Sequence, residues 1–463
     1  MKLSEDEMQK RLIRLYNLEM LYQKARERIT FLCIENKRLR ERIKELEEKD
    51  NDKESKIEAI SFQLEQLHNK VFGKKPVVSK IIIEKDKKIR DSASYQRPVP
   101  KHITETKKHT INACVHCSQL LTKKSVKIFF EEDIPLPIKK ISVRHEVEVG
   151  YCQHCRQQSS GYPIPPKKVV LGGQVKKYIC LLSIANRLPH SQIKAHLKDV
   201  FTLEISLGEI GNILSEEADH LRLEYEKLKQ SVVSQEAVHY DETGWKVQEE
   251  EKGKYAWVAT GTENNDTVFS LGQSRGKGNI EELGIARLGI TDDYGAYKNA
   301  FLEHQLCWAH PQRKLRDIAE SLAIEEEKRV CCQNTYVQFS KLYKHINTLF
   351  KKKISPYLKR KFSNDFDQLC ESHSLDPTPL LKIKESLKKN KKQYFTFFNH
   401  PNIPIDNNKA ERALRPLVIK RKISFGSQTQ KGAETTSILA SIILSLKWNN
   451  PDDWFTKYLA LHA

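Results

Sequence analysis

The sequence predicts a multidomain α+β protein, in which a coiled coil, a small β-rich module, a helical region and an α/β domain with a helical insertion follow one another. Three observations predict this class. The chain has 463 residues, which is enough for roughly three domains of ~150 residues each. A heptad repeat occupies residues 1–72, and after residue 231 the pattern changes from helices to alternating strands.

The heptad repeat of residues 1–72 predicts a coiled coil. Its seam lapses at residues 50–53 and then resumes in the same register. The seam positions are Leu15, Leu18, Tyr22, Ala25, Ile29, Leu32, Asn36, Leu39, Ile43 and Leu46, followed by Ile57, Ile60, Leu64, Leu67 and Val71. Asn36 at a core position favours a parallel homodimer, because two facing amides can pair across the seam. An antiparallel hairpin within one chain, folding back at residues 50–53, is the alternative interpretation.

The charge balance indicates a polyanionic partner, for which nucleic acid is the simplest candidate. The chain carries 79 Lys and Arg against 60 Asp and Glu, a net charge of +19. The predicted coil is nearly neutral, whereas residues 73–110, rich in Lys, Pro and Ser, predict a basic linker. The chain shows neither the continuous apolar run of a secretory signal nor that of a membrane span, so the predicted location is cytoplasmic.

Two CxxC pairs in residues 111–170 predict a β-rich module built around structural Zn²⁺. The four cysteines are Cys114, Cys117, Cys152 and Cys155. Each pair offers two thiolates to one ion, and two pairs complete a tetrahedral site. His116 or His154 could replace a thiolate, and unliganded thiols are the alternative.

The rest of the chain divides into four predicted segments. Residues 171–230 are helical, with Ser206 as the predicted N-cap of the longest helix. Two short helices before that longer one could form a helix-turn-helix DNA reader, although ordinary helical packing gives the same pattern. Residues 231–313 begin an α/β domain, 314–400 are a Lys-rich helical insertion, and 401–463 complete the domain with its C-terminal helices.

Three acidic residues stand at the ends of predicted elements. Asp241 follows the strand EAVHY, Asp292 follows ARLGIT, and Glu411 lies in the helix NNKAERALRP. Carboxylates that converge from strand ends and a helix can hold the Mg²⁺ or Mn²⁺ ions of two-metal phosphoryl transfer. Any one of them alone is more often a turn or cap residue.

The surroundings of Glu411 strengthen the metal interpretation. From residue 409 to residue 431 Glu411 is the only acid. Its basic neighbours are Lys409, Arg412, Arg415, Lys420, Arg421, Lys422 and Lys431. Such a segment would hold a phosphate backbone, and a solitary acid within it suggests a bound cation.

Taken together, these motifs resemble the transposases of bacterial insertion-sequence family 66. The resemblance rests on DETGWKV, TDDYGAY, CWAHPQRKL and NKAERALRPLVIKRKISFGSQTQKGAETTSILASIILSLK in this order, and on VFGKK, the CxxC pairs and NRLPHSQIKAHL before them. It covers nearly the whole chain. It implies a ribonuclease-H-like catalytic core preceded by a zipper, a zinc-binding domain and a helical region.

By this resemblance, Asp241, Asp292 and Glu411 are the catalytic triad and the Mg²⁺ or Mn²⁺ ligands. The chain departs from the family pattern at Asp293, where a small residue is usual, so either Asp292 or Asp293 could be the ligand. The strand alternation and the position of Tyr294 favour Asp292. Glu242 is expected to face away.

The resemblance further implies that the protein cuts the ends of its own mobile element and joins them to target DNA. Its expected DNA contacts are His310, Arg313, Arg412, Arg415, Lys420, Arg421 and Lys422, with a core role as the alternative for His310. The implied partners are double-stranded DNA, a second copy bound through the coil, and small accessory proteins of the same element. A non-catalytic DNA-binding relic and a ribonuclease-H-like nuclease without strand transfer are the alternative functions.

Overall fold

The computed structural model describes residues 5–47, 52–72, 99, 103, 105–107, 128, 138, 140–147, 149–151, 158–160, 169–250 and 253–461. These residues form a mixed α+β protein that is mostly helical. Over the same residues, no helix is long and apolar enough to cross a bilayer. The four cysteines predicted to bind zinc lie outside the described residues.

The chain divides into two compact units. The larger comprises Met1–Pro76, Val147–Ala195 and Ile205–Ala463, and it contains both β-sheets. The smaller comprises Val77–Glu146 and His196–Glu204, and its residues 141–146 are exposed and outside helices and strands.

Two helices begin the chain, α1 (Glu5–Glu47) and α2 (Asp52–Phe72), and they contact each other. The second also packs on the body of the larger unit: Phe62 lies against its aromatic core, and Glu65 accepts hydrogen bonds from the Ser321 hydroxyl and, over 3.2 Å, the Leu322 N–H. In the first helix, by contrast, the seam residues Leu18 and Tyr22 are exposed. The two halves of the predicted coil therefore have different surroundings.

Four helices follow a two-stranded antiparallel sheet of β1 (Val149–Tyr151) and β2 (Gln158–Ser160). They are α3 (Gly173–Ile184), α4 (His190–Phe201), α5 (Leu207–His220) and α6 (Arg222–Val233). The Ser206 hydroxyl accepts from the Glu209 N–H over 3.0 Å, which confirms the predicted N-cap.

A five-stranded mixed sheet forms the centre of the larger unit. Its strands are β3 (Val238–Trp245), β4 (Lys254–Gly261), β5 (Thr267–Gln273), β6 (Leu288–Thr291) and β7 (Glu303–Leu306), with α7 (Gly278–Leu283) between β5 and β6. The order is β5-β4-β3-β6-β7. Strands β3, β4 and β5 are antiparallel neighbours, whereas β6 is parallel to both β3 and β7.

The two faces of this sheet bury different clusters, because successive side chains of a strand point to opposite sides. Val238 and Tyr240 of β3 join a cluster with Trp257 of β4. The opposite face is covered by an aromatic cluster centred on Trp308. His239 and Asp241 of β3 consequently share the face opposite Tyr240.

Helices α8 to α12 build that aromatic cluster between β7 and the C-terminal helices. They are α8 (Ala309–Ala319), α9 (Glu326–Asn347), α10 (Pro356–Leu369), α11 (Thr378–Lys389) and α12 (Lys391–Tyr394). The Trp308 indole packs on Phe339 and Phe366 and donates to the Tyr394 carbonyl over 2.8 Å. This helical region is therefore anchored to the end of β7.

The chain ends with α13 (Asn408–Ser424), α14 (Gln430–Asn449) and α15 (Trp454–Ala460). Helix α14 covers the edge of the sheet through three serines spaced one turn apart. Ser437, Ser441 and Ser445 accept from alternate N–H groups of β5, over 2.9, 2.8 and 2.8 Å. Edge N–H groups that would otherwise need water are thus satisfied by one helix face.

A buried asparagine joins α13 to β3. The Asn407 amide donates to the Tyr240 carbonyl over 2.7 Å and accepts from the His239 imidazole over 3.0 Å. Its backbone N–H contacts the Cys307 sulfur at 3.1 Å, beyond the end of β7. Asn407 therefore fixes the start of α13 relative to two strands.

We predict that Asn407→Ala lowers the free energy of unfolding by about 2–4 kcal/mol, because it leaves a buried carbonyl and an imidazole N–H unpaired. Urea denaturation measures the change. Asn408→Ala is the matched control, since the Asn408 side chain makes no hydrogen bond within the described chain, and it should change stability by no more than about 0.5 kcal/mol. Equal losses in both variants would contradict this role of Asn407.

Candidate active site

Asp241 and Asp292 lie at equivalent positions on neighbouring parallel strands. The paired register of β3 and β6 ends with His239 opposite Ile290. Each aspartate stands two residues beyond that last pair, which brings the two to the same edge of the sheet. Asp241 also differs from its predicted position at a strand end: β3 continues to Trp245, because it still pairs with β4 there.

The charges of the other acidic residues at this edge act on Asp241. Burial, followed by the negative charges of Glu242, Asp292 and Glu411, raises the pKa of Asp241 to about 8. One hydrogen bond, from the Glu242 N–H over 2.9 Å, acts in the opposite direction. The ionised form of Asp241 is therefore disfavoured unless a positive charge joins it.

Asp292 and Asp293 have different surroundings. Asp293 accepts from the Ser386 hydroxyl over 2.8 Å and from the Asn390 amide over 3.2 Å, so its carboxylate is used in holding α11 and the residue after it. The Asp292 carboxylate accepts only the Tyr294 N–H, over 3.0 Å, among hydrogen bonds of the described chain. Burial raises the pKa of Asp292, and its charge acts on Asp241.

Glu411 is held by a cation. Arg313 Nη1 donates to Glu411 Oε2 over 3.0 Å, and Nη2 donates to Oε1. Burial alone would raise the pKa of Glu411, but the hydrogen bonds and charge of Arg313 outweigh it, and the net shift is downward. His310 lies 3.7 Å from the same carboxylate, and burial with the charge of Arg313 lowers the pKa of His310 to about 4. The imidazole is therefore neutral at pH 7.

The arrangement is only partly suited to a metal ion. Its excess of negative charge around Asp241 fits a divalent cation. However, over the residues that the structure describes, no group of three or more His, Cys, Asp or Glu side chains is close enough to hold one. Both carboxylate oxygens of Glu411 accept from Arg313, so in this conformation they are not free to bind a metal ion.

At the same edge of the sheet, the negative charge of Glu242 is neutralised by a second arginine. It accepts from Arg275 over 3.0 and 3.2 Å and from the Tyr297 hydroxyl over 2.6 Å. The Arg275 guanidinium in turn lies 4.1 Å from the Tyr294 ring centroid. Sequence reasoning singled out neither Arg275 nor Tyr297, because partners 33 and 55 residues from Glu242 leave no local pattern.

The basic residues of α13 fall into two groups. Arg412, Arg415 and Lys422 are exposed. Arg421 instead donates to the Gly244 carbonyl at the far end of β3. Lys420 is buried, and its ammonium donates to the Ser183 carbonyl and hydroxyl over 2.8 and 3.2 Å.

Lys420 thereby caps the C-terminal end of α3, a favourable place for a positive charge. Burial lowers the pKa of Lys420 to about 8. In this conformation its ammonium is not available to a phosphate, unlike the prediction from the sequence. The helical spacing of these residues could have indicated the burial, because Lys420 lies on the same inward face as the buried Ala413 and Leu417.

Comparison with known proteins identifies the family. The sequence model described as "Transposase IS66 family" matches residues 169–435, a segment that contains Asp241, Asp292 and Glu411. A similar protein is the uncharacterized protein y4jO of Sinorhizobium fredii (strain NBRC 101917 / NGR234), 22% identical over 158 residues. That match covers 34% of this chain and 47% of y4jO, so the chain spans about half the length of this relative. Since the family match extends over more than half of the chain, the protein belongs to the IS66 family of transposases.

Proposed function

We propose that this protein is a DNA transposase that cleaves the ends of its insertion element and joins the 3′-hydroxyls to target DNA. The observation that carries the proposal is that Asp241 and Asp292 stand at equivalent positions on two adjacent parallel strands. Asp241 is also buried there, and the charges of Glu242, Asp292 and Glu411 act on it. Such a cluster is costly unless it serves to bind positive charge. The cluster lies within the segment matched by the IS66 transposase family, so we propose that the positive charge is a catalytic metal ion.

A ribonuclease-H-like core is the architecture we propose for residues 231–313 and 401–463. In its support, a mixed sheet places Asp241 and Asp292 beyond paired positions of two adjacent parallel strands. Helix α13 then brings Glu411 against the same strand through Asn407. The helical region 314–400 would be an insertion that steadies Asp293, the neighbour of Asp292.

In this proposal Asp241, Asp292 and Glu411 hold the catalytic Mg²⁺ or Mn²⁺. When bound, two such cations activate the attacking oxygen and stabilise the leaving one. Asp241 would give up its proton on binding the cation. Glu411 would have to leave Arg313, and a DNA phosphate is the natural competitor for that guanidinium, because Arg binds phosphate in the same bidentate manner as carboxylate.

The N-terminal modules of the chain also have roles in this proposal. We propose that Cys114, Cys117, Cys152 and Cys155 bind structural Zn²⁺. The exposed seam residues of α1, Leu18, Tyr22 and Ile29, would pair with a second copy of the chain, while α2 stays on the body of its own protomer. The contact between α1 and α2 supports the alternative, an antiparallel hairpin within one chain. Accessory proteins of the same element are further partners in this proposal.

We predict that Asp241→Asn, Asp292→Asn and Glu411→Gln each reduce DNA cleavage to the level seen without a divalent cation. The assay incubates each variant with Mg²⁺ or Mn²⁺ and DNA from the ends flanking the gene, and then separates cut and joined products. Asp293→Asn is the matched control and should still cleave, because Asp293 is bonded to Ser386 and Asn390.

Cleavage by any of the three triad variants would remove that residue from the proposed site. Loss of activity in Asp293→Asn alone would assign the second carboxylate to Asp293. Cut products without joined ones from the wild-type protein would favour a nuclease over a transposase.

The two groups of basic residues on α13 should differ in their effect on DNA binding. Arg415→Gln and Lys422→Gln should each weaken DNA binding and reduce the slope of log K against log salt by about 0.9, the value for one lost phosphate contact. Lys420→Met should leave that slope unchanged but lower the free energy of unfolding by about 1–3 kcal/mol, since it removes a buried charged hydrogen bond.

Titration of fluorescent duplex DNA at several salt concentrations measures the slope, and urea denaturation measures stability. A reduced slope in Lys420→Met, with no loss of stability, would place Lys420 on DNA instead.

A further inference from the structure

The exposed face of α13 carries apolar side chains among its cations. At 100° per residue, Arg412, Arg415, Ile419, Lys422 and Ile423 fall on one side of the helix. All five are exposed, and Ile419 and Ile423 keep 44% and 42% of their surface. Phe425 follows directly after the helix, with 69% of its surface exposed.

The backbone of Phe425 is unusual for an aromatic residue. Its φ and ψ are 61° and 18°, in the left-handed region where glycine is favoured and bulky residues are rare. Gly426, which follows, also has a positive φ of 103°, and a Cβ there would lie 2.1 Å from the Lys246 carbonyl oxygen. A glycine is thus required at 426, whereas at 425 an aromatic residue occupies a position that favours glycine.

The chain around Phe425 is fixed by hydrogen bonds although its ring is free. The Phe425 N–H donates to the Arg421 carbonyl over 2.8 Å. The Ser427 N–H donates to the Lys246 carbonyl over 2.9 Å, and the Trp245 indole donates to the Ser427 hydroxyl over 3.2 Å. The structure therefore places an exposed ring on a backbone that hydrogen bonds hold in position.

We propose that Phe425 inserts between base steps of duplex DNA bound along α13 and unstacks them. Apolar side chains that penetrate a duplex distort it in this way, and bases also stack on aromatic rings. The proposal rests on the proposed function, because it uses the DNA that the triad would cut. It adds a deformation of that DNA at a defined place.

Charge favours DNA over a protein as the occupant of this face. From Arg412 to Lys431 the chain contains no acid. Two acids beside this segment already have partners: Glu249 accepts from the Gln430 N–H, and Glu434 accepts from the Arg222 guanidinium over 2.7 Å. A face of exposed cations with two apolar residues and a ring matches a phosphate backbone and the bases behind it.

The length of α13 sets where the distortion should fall. Fourteen residues separate Glu411 from Phe425, which corresponds to ~21 Å along a helix. At 3.4 Å per base step, DNA parallel to α13 would meet Phe425 about six steps from the phosphate at Glu411.

The test uses duplexes cut from the DNA that flanks the gene, each with 2-aminopurine at one position. This base fluoresces more strongly when it is unstacked. All proteins carry Glu411→Gln, so that the DNA stays intact. We expect a rise in fluorescence at one or two neighbouring positions, about six steps from the cleavage site.

Phe425→Ala and Phe425→Gly should abolish the rise and weaken binding by about tenfold, the value of one base stacked on a ring. Phe425→Trp should retain it. Phe425→Gly should also be at least as stable as the parent protein, because glycine adopts a positive φ freely, so its defect cannot be ascribed to misfolding. Tyr357→Ala is the matched control: Tyr357 is likewise 69% exposed but lies on α10, and the rise should persist.

A rise that persists in Phe425→Gly, or no rise at any position, would overturn the inference. A change in the oligomeric state of Phe425→Gly with unaltered DNA fluorescence would assign the ring to a contact between copies, and would also overturn it. If the rise is seen but the protein with Glu411 restored neither cuts nor joins DNA, the proposed function fails while the inference stands.

Discussion

The burial of Asp241 among other carboxylates is the constraint on which the candidate site depends. A buried carboxylate surrounded by negative charge is unfavourable in its ionised form, and the pKa of Asp241 rises to about 8 as a result. The neighbouring carboxylates are neutralised in different ways: Glu242 by Arg275, and Glu411 by Arg313. Asp241 has no such cation, and neither Asp241 nor Asp292 forms an ion pair within the described chain, so a divalent ion is the partner that would complete this edge of the sheet.

Helix α13 is the element that joins the acidic site and a set of exposed cations to the sheet. At the start of the helix, Asn407 donates to the Tyr240 carbonyl of β3. In its last turn, Arg421 donates to the Gly244 carbonyl of the same strand. These carbonyls lie on either side of Asp241. Between these two connections the helix carries Glu411 on the side of the site and Arg412, Arg415 and Lys422 on the side of the solvent. A displacement of α13 would therefore move the acid and the cations together.

Local signals in the sequence predicted local features well. Ser206 caps its helix as expected, because the capping pattern involves only neighbouring residues. The strand that contains Asp241 was located from its apolar residues, but its end was not, since pairing with β4 decides where it stops. Helix α2 packs on the body of the protein through Phe62, which lies outside the heptad seam; an aromatic residue there was an available signal.

Long-range contacts could not be predicted from the sequence. Asn407 and His239 are 168 residues apart, and Lys420 and Ser183 are 237 apart. Nothing in the sequence near either partner indicates these pairs. The same limitation applies to Arg313 and Glu411: each was expected to contact DNA or metal, whereas in the structure they bind each other.

The most direct test of a cation site at Asp241 is cleavage of the protein chain itself by bound Fe²⁺. Ascorbate and hydrogen peroxide generate hydroxyl radicals at the ion, and these cut the backbone beside it. With a cation bound at Asp241, fragments should end near residues 241 and 292, and further fragments should end near residue 411 once DNA is added. These fragments should be lost in Asp241→Asn. Fragments elsewhere, or an unchanged pattern in that variant, would contradict it.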